Sequence, residues 1–187
     1  VLLDFCWKDH IARFGFQGEK ADRIAQAMML GPIWPKLDLG LESDEDILEQ
    51  FVAHTPELEQ EIRLVFSDLS TIVREYEGSV DWIESLKARG YHTYYLSNYG
   101  ERIRREASKE LSFLSHMDGG IMSYTVHLAK PDPAIYQTLL DRYGLKAEEC
   151  VFLDDTVRNV EAAQALGIAG IVVTSQEQAK KELETLL

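Results

Sequence analysis

The sequence of 187 residues has few cysteines, few basic residues and no long hydrophobic run. Its two cysteines, Cys6 and Cys150, are too few for a disulfide framework and predict a protein of the reducing cytoplasm. No stretch approaches the roughly 18 apolar residues that a membrane span needs, so we expect no membrane partner. Lysine and arginine number 19 against 32 acidic residues, and the net charge of −13 argues against a nucleic-acid partner.

What the sequence does have is a composition typical of a folded globular protein. Hydrophobic residues make up 45% of the chain and charged residues 27%, and this composition argues against a disordered chain. Residues 8–77 predict helices without a convincing strand, because apolar residues recur there at helical spacing, as in Trp7, Ile11 and Phe14. Aromatic residues at such spacing usually pack in a core, so this is the role expected of Trp7, Phe14, Trp34 and Phe51.

Three signals in this helical segment predict where its elements begin. Ser43, with Asp46 three residues later, is typical of a helix N-cap with a capping box. Thr55 followed by Pro56 predicts a second helix start, with Thr55 as its N-cap. Between the helices, we expect a loop that contains Trp34.

From residue 79 onward, apolar strands alternate with amphipathic helices. The expected strands lie within 91–96, 120–126, 150–153 and 168–173, and the expected helices within 80–89, 101–111, 132–143, 159–166 and 176–187. This alternation predicts an α/β fold, in which a Rossmann-like parallel sheet has helices on both faces. Ligands of such folds bind beyond the carboxyl ends of the strands.

Polar side chains follow three of the expected strands. Ser97 and Asn98 come after the first strand, Lys130 comes after the second, and Asp154 and Asp155 come after the third. Taken alone, a Ser-Asn pair is ordinary turn chemistry, and a lysine before proline is an ordinary surface residue. Two adjacent acids at the end of an apolar strand need a positive partner, and Mg²⁺ binds one or two carboxylates together with water and phosphate oxygens.

Three sequence motifs carry a resemblance to a known family. The stretches YYLSN, KPDPAIY and VFLDDTVRNVEAA resemble the second, third and fourth motifs of the haloacid dehalogenase (HAD) superfamily. The branch that the chain resembles has a helical C1 cap (subfamily I) and contains bacterial sugar-phosphate phosphatases and the N-terminal domain of epoxide hydrolases. The resemblance implies a Rossmann-like core of residues 1–7 and 79–187, with an inserted helical cap of residues 8–78.

The resemblance also implies the role of each candidate residue. Ser97 and Lys130 would be catalytic: Ser97 would bind a phosphoryl oxygen with the help of Asn98, and Lys130 would neutralise the phosphoryl group. Asp155 would ligate Mg²⁺ directly, and Asp154 would do so directly or through water. Asn159 would not ligate the ion but would support the loop of these two aspartates.

The family's nucleophilic aspartate has two possible placements. In one, Asp4 ends the first strand and attacks phosphorus, and Cys6 occupies the position of the acid and base. In the other, which we favour, the segment Val1 to Asp4 follows the motif, and the nucleophile lies just upstream of Val1. Asp4 would then be a structural residue or lie at the entrance of the cap.

The expected function is the Mg²⁺-dependent hydrolysis of a small phosphorylated metabolite, for which a sugar phosphate is one candidate. A phosphomutase of the same superfamily is an alternative. A haloacid dehalogenase is a weaker one, because dehalogenation needs no Mg²⁺ and that branch lacks the acid pair Asp154-Asp155. The alternative outside enzymes is an inactive HAD-like binding module. We expect a monomer or a homodimer.

Overall fold

The computed structural model describes residues 1–187 as ten α-helices and six strands. The strands are β1 (Leu3–Phe5), β2 (Val73–Glu75), β3 (Tyr94–Ser97), β4 (Gly119–Met122), β5 (Val151–Asp154) and β6 (Ala169–Val172). The helices are α1 (Trp7–Arg13), α2 (Gly18–Ala27), α3 (Trp34–Leu39), α4 (Asp44–His54), α5 (Glu59–Phe66), α6 (Ser79–Ala88), α7 (Glu101–Glu106), α8 (Pro133–Tyr143), α9 (Val157–Gln164) and α10 (Gln176–Leu183). None of the helices combines the length and the apolar character that crossing a membrane requires.

The chain divides into two compact units. The smaller unit contains Val1 and residues Leu128–Leu187, and the larger unit contains residues Leu2–His127. Val1 belongs to the smaller unit, where Gln176 Nε2 donates a hydrogen bond of 3.0 Å to the Val1 carbonyl. The predicted cap of residues 8–78 lies within the larger unit, and the division into core and cap stays a prediction.

The smaller unit is built on the parallel pair of β5 and β6. Val151 lies opposite Ala169, and Asp154 lies opposite Val172. Helix α9 connects these two strands and packs against both of them, which is the usual crossover between neighbouring parallel strands. The carboxyl end of β5 is therefore held by a strand on one side and by a helix on one face.

The larger unit contains a parallel pair, β3 and β4, and an antiparallel pair, β1 and β2. The parallel pair depends on Gly120, which lies opposite Tyr95 with a φ of +158°. A Cβ atom at this position would lie 2.3 Å from the Tyr95 carbonyl oxygen, so only glycine allows the two strands to approach in this register.

The core of the larger unit is formed mainly by the helices that precede β3. Phe51 and Phe66 are buried and meet edge to face with ring centroids 5.7 Å apart, and Trp34 lies 6.2 Å from Phe51. Trp7 and Phe14 are partly buried and pack against the same core. The expectation that these aromatic residues pack inside is confirmed.

The α/β class and the element order after residue 79 are confirmed. The chain runs α6, β3, α7, β4, α8, β5, α9, β6 and α10, and the strands pair in parallel within each unit. The capping box is also confirmed, because Ser43 Oγ accepts a 3.1 Å hydrogen bond from the Asp46 N–H and donates one of 2.7 Å to Asp46 Oδ2.

Two local predictions in the helical segment are wrong, and a third is confirmed only in part. Residues 8–77 contain the strand β2, which is only three residues long and therefore leaves no periodic signal. Trp34 begins helix α3 instead of lying in a loop, since Pro35 is accommodated in the first turn, where its missing N–H is not needed. The third prediction is right for the helix start, because Thr55 is the N-cap residue of a 3-10 helix at Pro56–Leu58 that leads directly into α5, but the Thr55 side chain makes no capping hydrogen bond.

A buried histidine joins α1 to α5 and to the segment that follows α5. His10 has no exposed surface; its Nδ1 lies 2.9 Å from Thr71 Oγ1, and its Nε2 lies 3.3 Å from the Val65 carbonyl oxygen. Burial lowers the pKa of His10, and the carbonyl hydrogen bond opposes this only in part. The ring is therefore neutral at neutral pH.

We predict that His10 makes the protein less stable in acid. The pKa of His10 is lower in the folded than in the unfolded state, so the folded state binds fewer protons below about pH 6.5. The free energy of unfolding should then fall with decreasing pH, by up to about 1.4 kcal/mol per pH unit from this group. Urea unfolding between pH 5 and pH 7.5 measures the slope.

In His10→Gln, this slope should be smaller than in the wild type. His54→Gln is the matched control, because His54 is exposed. Equal slopes for the wild type and His10→Gln would contradict the assignment of acid sensitivity to His10.

Candidate active site

Strand β5 carries an aspartate into the interior of the smaller unit. Val151, Phe152 and Leu153 make the strand apolar, and Asp154 at its end is only 5% exposed. The Thr156 N–H donates a 2.8 Å hydrogen bond to Asp154 Oδ1, which fixes the carboxylate in the turn before α9. A carboxylate buried to this extent needs further partners, because the charge has lost its hydration.

Lys130 supplies the opposite charge. Its Nζ lies 2.6 Å from Asp154 Oδ2, and the two side chains are 10% and 6% exposed. The same Nζ lies 5.4 Å from the centroid of the Phe152 ring, a distance at which a cation is attracted by an aromatic face. Lys130 comes shortly before α8, whose first turn is capped by the Asp132 side chain.

Asn159 on α9 completes the surroundings of the buried carboxylate. Its Nδ2 donates a 3.0 Å hydrogen bond to Asp154 Oδ1, and the Tyr136 hydroxyl donates one of 2.8 Å to the Asn159 carbonyl. The Asn159 Oδ1 atom is buried and has no hydrogen-bond partner in the protein. Asn159 thus supports the Asp154 turn, as the family resemblance implies, and presents one acceptor that the protein does not use.

The charge state of Asp154 follows from two opposing effects. Burial by itself raises the pKa of the carboxyl, but the charge and hydrogen bond of Lys130, together with the hydrogen bonds from Thr156 and Asn159, outweigh burial. The net result is a pKa of Asp154 below its ordinary value. At neutral pH the site therefore contains an ionised carboxylate paired with a lysine.

Asp155 differs from Asp154 in its exposure and in its hydrogen bonds. Its side chain is exposed, and the contact of its Oδ1 with Thr156 Oγ1 is long, at 3.4 Å. Asp154 already accepts three hydrogen bonds, two at Oδ1 and one at Oδ2. Of the two adjacent acids, Asp155 is the one whose oxygens are available to a ligand from solvent.

The donor set fits some metal ions and excludes others. No group of three or more His, Cys, Asp or Glu side chains lies close enough together to hold a metal ion. Zn²⁺ and Ca²⁺ sites generally need more protein ligands than the pair Asp154-Asp155 provides. Mg²⁺ is commonly held by one or two carboxylates with water and phosphate oxygens, and the residues present fit that mode.

Ser97 and Asn98 lie in the larger unit. Ser97 is the last residue of β3, opposite Met122, and both Ser97 and Asn98 are half-buried. The sequence predicts that they share a site with Lys130, Asp154 and Asp155. The structure brings the lysine and Asp154 together within the smaller unit, and the association with the Ser-Asn pair stays a prediction.

Ser123 is a residue that the sequence analysis missed. It follows β4 directly and is fully buried, and its Oγ accepts a 2.9 Å hydrogen bond from the Tyr99 N–H. A signal for it exists, because a hydroxyl between Met122 and Tyr124 directly after an apolar strand satisfies the same rule that selected the other candidates.

Asp4 does not lie at the carboxyl end of a parallel strand. It lies on β1, which pairs with β2 in antiparallel orientation and places Asp4 opposite Arg74. Cys6 Sγ donates a hydrogen bond of 3.2 Å to Asp4 Oδ2, and burial together with this carboxylate raises the pKa of Cys6 to about 11. The thiol is protonated at neutral pH, so it is unsuited to act as a base beside a nucleophile at Asp4.

Comparison with protein families gives one match over most of the chain. A family model described as "Hydrolase: haloacid dehalogenase-like hydrolase" matches residues 14–167. The matched range includes the end of β3, the Lys130 loop and the Asp154 turn, which are the three places that carry the sequence motifs.

Three curated relatives are similar to parts of the chain. Acyl-CoA dehydrogenase family member 10 of Mus musculus is 32% identical over 162 residues, which are 84% of this chain and 15% of the relative. Bifunctional epoxide hydrolase 2 of Sus scrofa is 36% identical over 104 residues, or 54% of this chain and 19% of the relative. Phosphorylated carbohydrates phosphatase of Thermotoga maritima is 30% identical over 142 residues, or 75% and 63%. The chain thus spans less than a fifth of the length of the first two relatives.

Solved structures share the fold. A HAD family enzyme of Bacteroides thetaiotaomicron, solved in complex with magnesium and inorganic phosphate, has a TM-score of 0.70 and is 21% identical. The match covers 94% of this chain and 90% of that one. The resemblance to this superfamily and to its Rossmann-like fold is confirmed.

We predict that Lys130→Met destabilises the folded protein strongly. The substitution keeps the side-chain length but leaves Asp154 buried without its cation, and the loss of one partner of a buried ion pair costs about 3 kcal/mol or more. Urea unfolding at pH 7 measures the change in the free energy of unfolding.

The double variant Lys130→Met, Asp154→Asn should lose less stability than the single variant, because it buries no unpaired charge. Lys146→Met is the control, since its ion pair with Glu149 is exposed and should contribute nothing measurable. If Lys130→Met were no less stable than this control, the buried pair would not hold the site together.

Proposed function

The chain belongs to the haloacid dehalogenase-like hydrolases, and from this premise we propose that it is a Mg²⁺-dependent phosphatase that hydrolyses a small phosphate monoester. The observation that carries the proposal is the buried Lys130–Asp154 pair beside the exposed Asp155, at the carboxyl end of a parallel strand. Ligands bind at this end of the strands in such folds. The similarity to a relative named for phosphorylated carbohydrates supports a sugar phosphate as the substrate.

Lys130 has the properties that a phosphoryl-transfer site requires. Its ammonium group is fixed by Asp154 Oδ2 at 2.6 Å and is almost wholly enclosed, so its charge is only weakly screened by solvent. Most of the catalysis of phosphoryl transfer comes from placing positive charge around the transferring group. We assign Lys130 to the neutralisation of the phosphoryl oxygens.

The adjacent acids would hold the magnesium ion. Asp155 would bind it directly, because its carboxylate is exposed, and Asp154, whose oxygens accept three hydrogen bonds, would bind directly or through water. When bound, Mg²⁺ supplies positive charge to phosphoryl oxygens and orients the ester. The unused acceptor of Asn159 lies in the first turn of α9, and it would be suited to accept a hydrogen bond from a metal-bound water.

We assign substrate binding to Ser97 and Asn98. Ser97 ends the parallel strand β3 and Asn98 follows it, and both are half-buried, so their side chains are held by the fold and still reach solvent. The serine hydroxyl and the asparagine amide can each donate a hydrogen bond to a phosphoryl oxygen. Residues 8–78 would serve as the cap that supplies substrate specificity.

The reaction needs a nucleophile that the proposal places outside residues 1–187. Asp4 lies on an antiparallel strand and does not suit the role. In the proposed reaction, the carboxylate of an aspartate encoded just before Val1 attacks phosphorus, the ester P–O bond breaks, and the leaving alkoxide takes a proton from solvent. Water then cleaves the aspartyl-phosphate, which releases inorganic phosphate, restores the carboxylate and returns a proton to solvent. A gene that encodes no aspartate there would contradict this step.

We predict that phosphatase activity depends on Mg²⁺ and on Asp155. The chain with its encoded upstream residues should release inorganic phosphate from members of a panel of sugar phosphates and other phosphate monoesters, and EDTA should abolish the release. Asp155→Asn should lower kcat/KM about 100-fold, because removal of a group that places charge at the transition state has effects of this size. The Mg²⁺ concentration for half-maximal activity should also rise.

Asp141→Asn on α8 is the matched control and should behave like the wild type, because Asp141 is exposed and interacts with Gln137 on the same helix. Three results would count against the proposal: activity that is unchanged by EDTA, halide release from a 2-haloacid without Mg²⁺, and no phosphate release from any ester when an upstream aspartate is present.

We predict that Ser97→Ala weakens substrate binding. Loss of one hydrogen bond to a charged oxygen should lower kcat/KM about 10-fold to 100-fold. Steady-state kinetics with the best ester of the panel give the value. Ser85→Ala is the control, since the Ser85 hydroxyl is exposed and bonds only to a carbonyl of its own helix. Equal values of kcat/KM for the two variants would contradict the assignment of substrate binding to Ser97.

A further inference from the structure

Two side chains from the segment after β4 hold the carboxyl end of α3. The last carbonyl groups of a helix have no partner within the helix. Ser123 Oγ donates a 2.5 Å hydrogen bond to the Asp38 carbonyl, and His127 Nδ1 lies 2.9 Å from the Leu39 carbonyl oxygen. The end of α3 is thus satisfied by residues more than eighty positions further along the chain.

Ser123 makes a second contact, with the segment that follows β3. Its Oγ accepts a 2.9 Å hydrogen bond from the N–H of Tyr99, the residue after Asn98. Ser123 itself has no exposed surface. A single buried hydroxyl therefore connects the end of α3 to the loop of Ser97 and Asn98.

The packing around these hydrogen bonds leaves no space between the segments. A Cβ on Gly40, which ends α3 with a φ of +62°, would lie 2.9 Å from the Tyr124 Cβ. A Cβ on Gly100 would lie 3.0 Å from the Leu37 Cγ. His127 has a φ of +56°, which residues other than glycine rarely adopt. In this backbone conformation the His127 ring reaches the Leu39 carbonyl.

We propose that Ser123 and His127 form a latch that fixes the carboxyl end of α3, and that Ser123 is a positioning residue for the loop of Ser97 and Asn98. Ser123 Oγ donates to the Asp38 carbonyl at the end of α3 and accepts from the Tyr99 N–H. Displacement of α3 therefore breaks the bond to Asp38 at the same oxygen atom that orients Tyr99. The position of α3, which lies in the predicted cap, is in this way coupled to the backbone of the substrate-binding loop. Only the kinetic consequence rests on the proposed function.

The latch predicts a specific pattern of backbone protection. Ser123→Ala removes the contacts on both sides, so amide hydrogen exchange should be roughly tenfold faster in residues 34–41 and in residues 97–100. His127→Asn keeps a residue type that tolerates positive φ but withdraws the ring from Leu39. It should accelerate exchange in residues 34–41 alone. Exchange followed by mass spectrometry on the full chain measures both segments.

Thr125→Ala is the matched control in the same turn. The Thr125 hydroxyl donates only to the Met122 carbonyl, at 2.7 Å, and should affect neither segment. Exchange in Ser123→Ala that equals the control in both segments would overturn the proposal. So would a His127→Asn variant in which residues 34–41 exchange as in the wild type, and this second variant decides the matter if Ser123→Ala does not fold.

Kinetics distinguish positioning from a general loss of structure. With the best phosphate ester, Ser123→Ala should raise KM about tenfold and change kcat less than about twofold, because the loop that binds the phosphoryl group loses its anchor while Lys130 and the acids are unaltered. An equal fall of kcat and kcat/KM would contradict the positioning role. If the wild type hydrolyses no ester, the proposed function fails, and the exchange pattern still decides whether the latch exists.

Discussion

A carboxylate that is buried in the interior must be neutralised, and this constraint organises the smaller unit. Asp154 is carried inward by an apolar strand, and the hydrogen bonds at its two oxygens require Lys130, the Thr156 N–H and the Asn159 amide to converge on one turn. The Tyr136 hydroxyl in turn bonds to the Asn159 carbonyl and so connects α8 to α9. The surrounding elements are thus fixed by the demands of one charge.

The sequence was sufficient to predict the residues whose signals are local. An apolar strand followed by two acids identified the Asp154 turn, and the capping pattern at Ser43 identified the start of α4. Strand β2 was missed because three residues cannot establish a period, and its existence depends on pairing with β1, far away in the sequence. Ser123 was missed for a related reason, because its two partners come from distant segments and a serine in a turn is not unusual.

The electrostatics of the chain oppose its proposed substrate at long range and favour it at short range. With a net charge of −13, the protein as a whole repels an anionic ester. At the end of β5 the sign of the electrostatic potential is set locally, by the enclosed ammonium of Lys130 and by any cation that Asp155 binds. In the proposed function, the acid pair would also attract Mg²⁺, so the negative charge that disfavours the ester would bind the ion that compensates for it.

The Tyr99 side chain opposes part of the stabilisation that its own backbone N–H gains from Ser123. The ring is 6% exposed, and its hydroxyl has no hydrogen-bond partner within the protein. A buried hydroxyl without a partner raises the free energy of the conformation that encloses it, and this offsets part of the stabilisation from the neighbouring Ser123 bonds. A phenylalanine would pack there without that penalty. The tyrosine therefore makes the net stabilisation of this buried segment smaller than the Ser123 hydrogen bonds alone would provide.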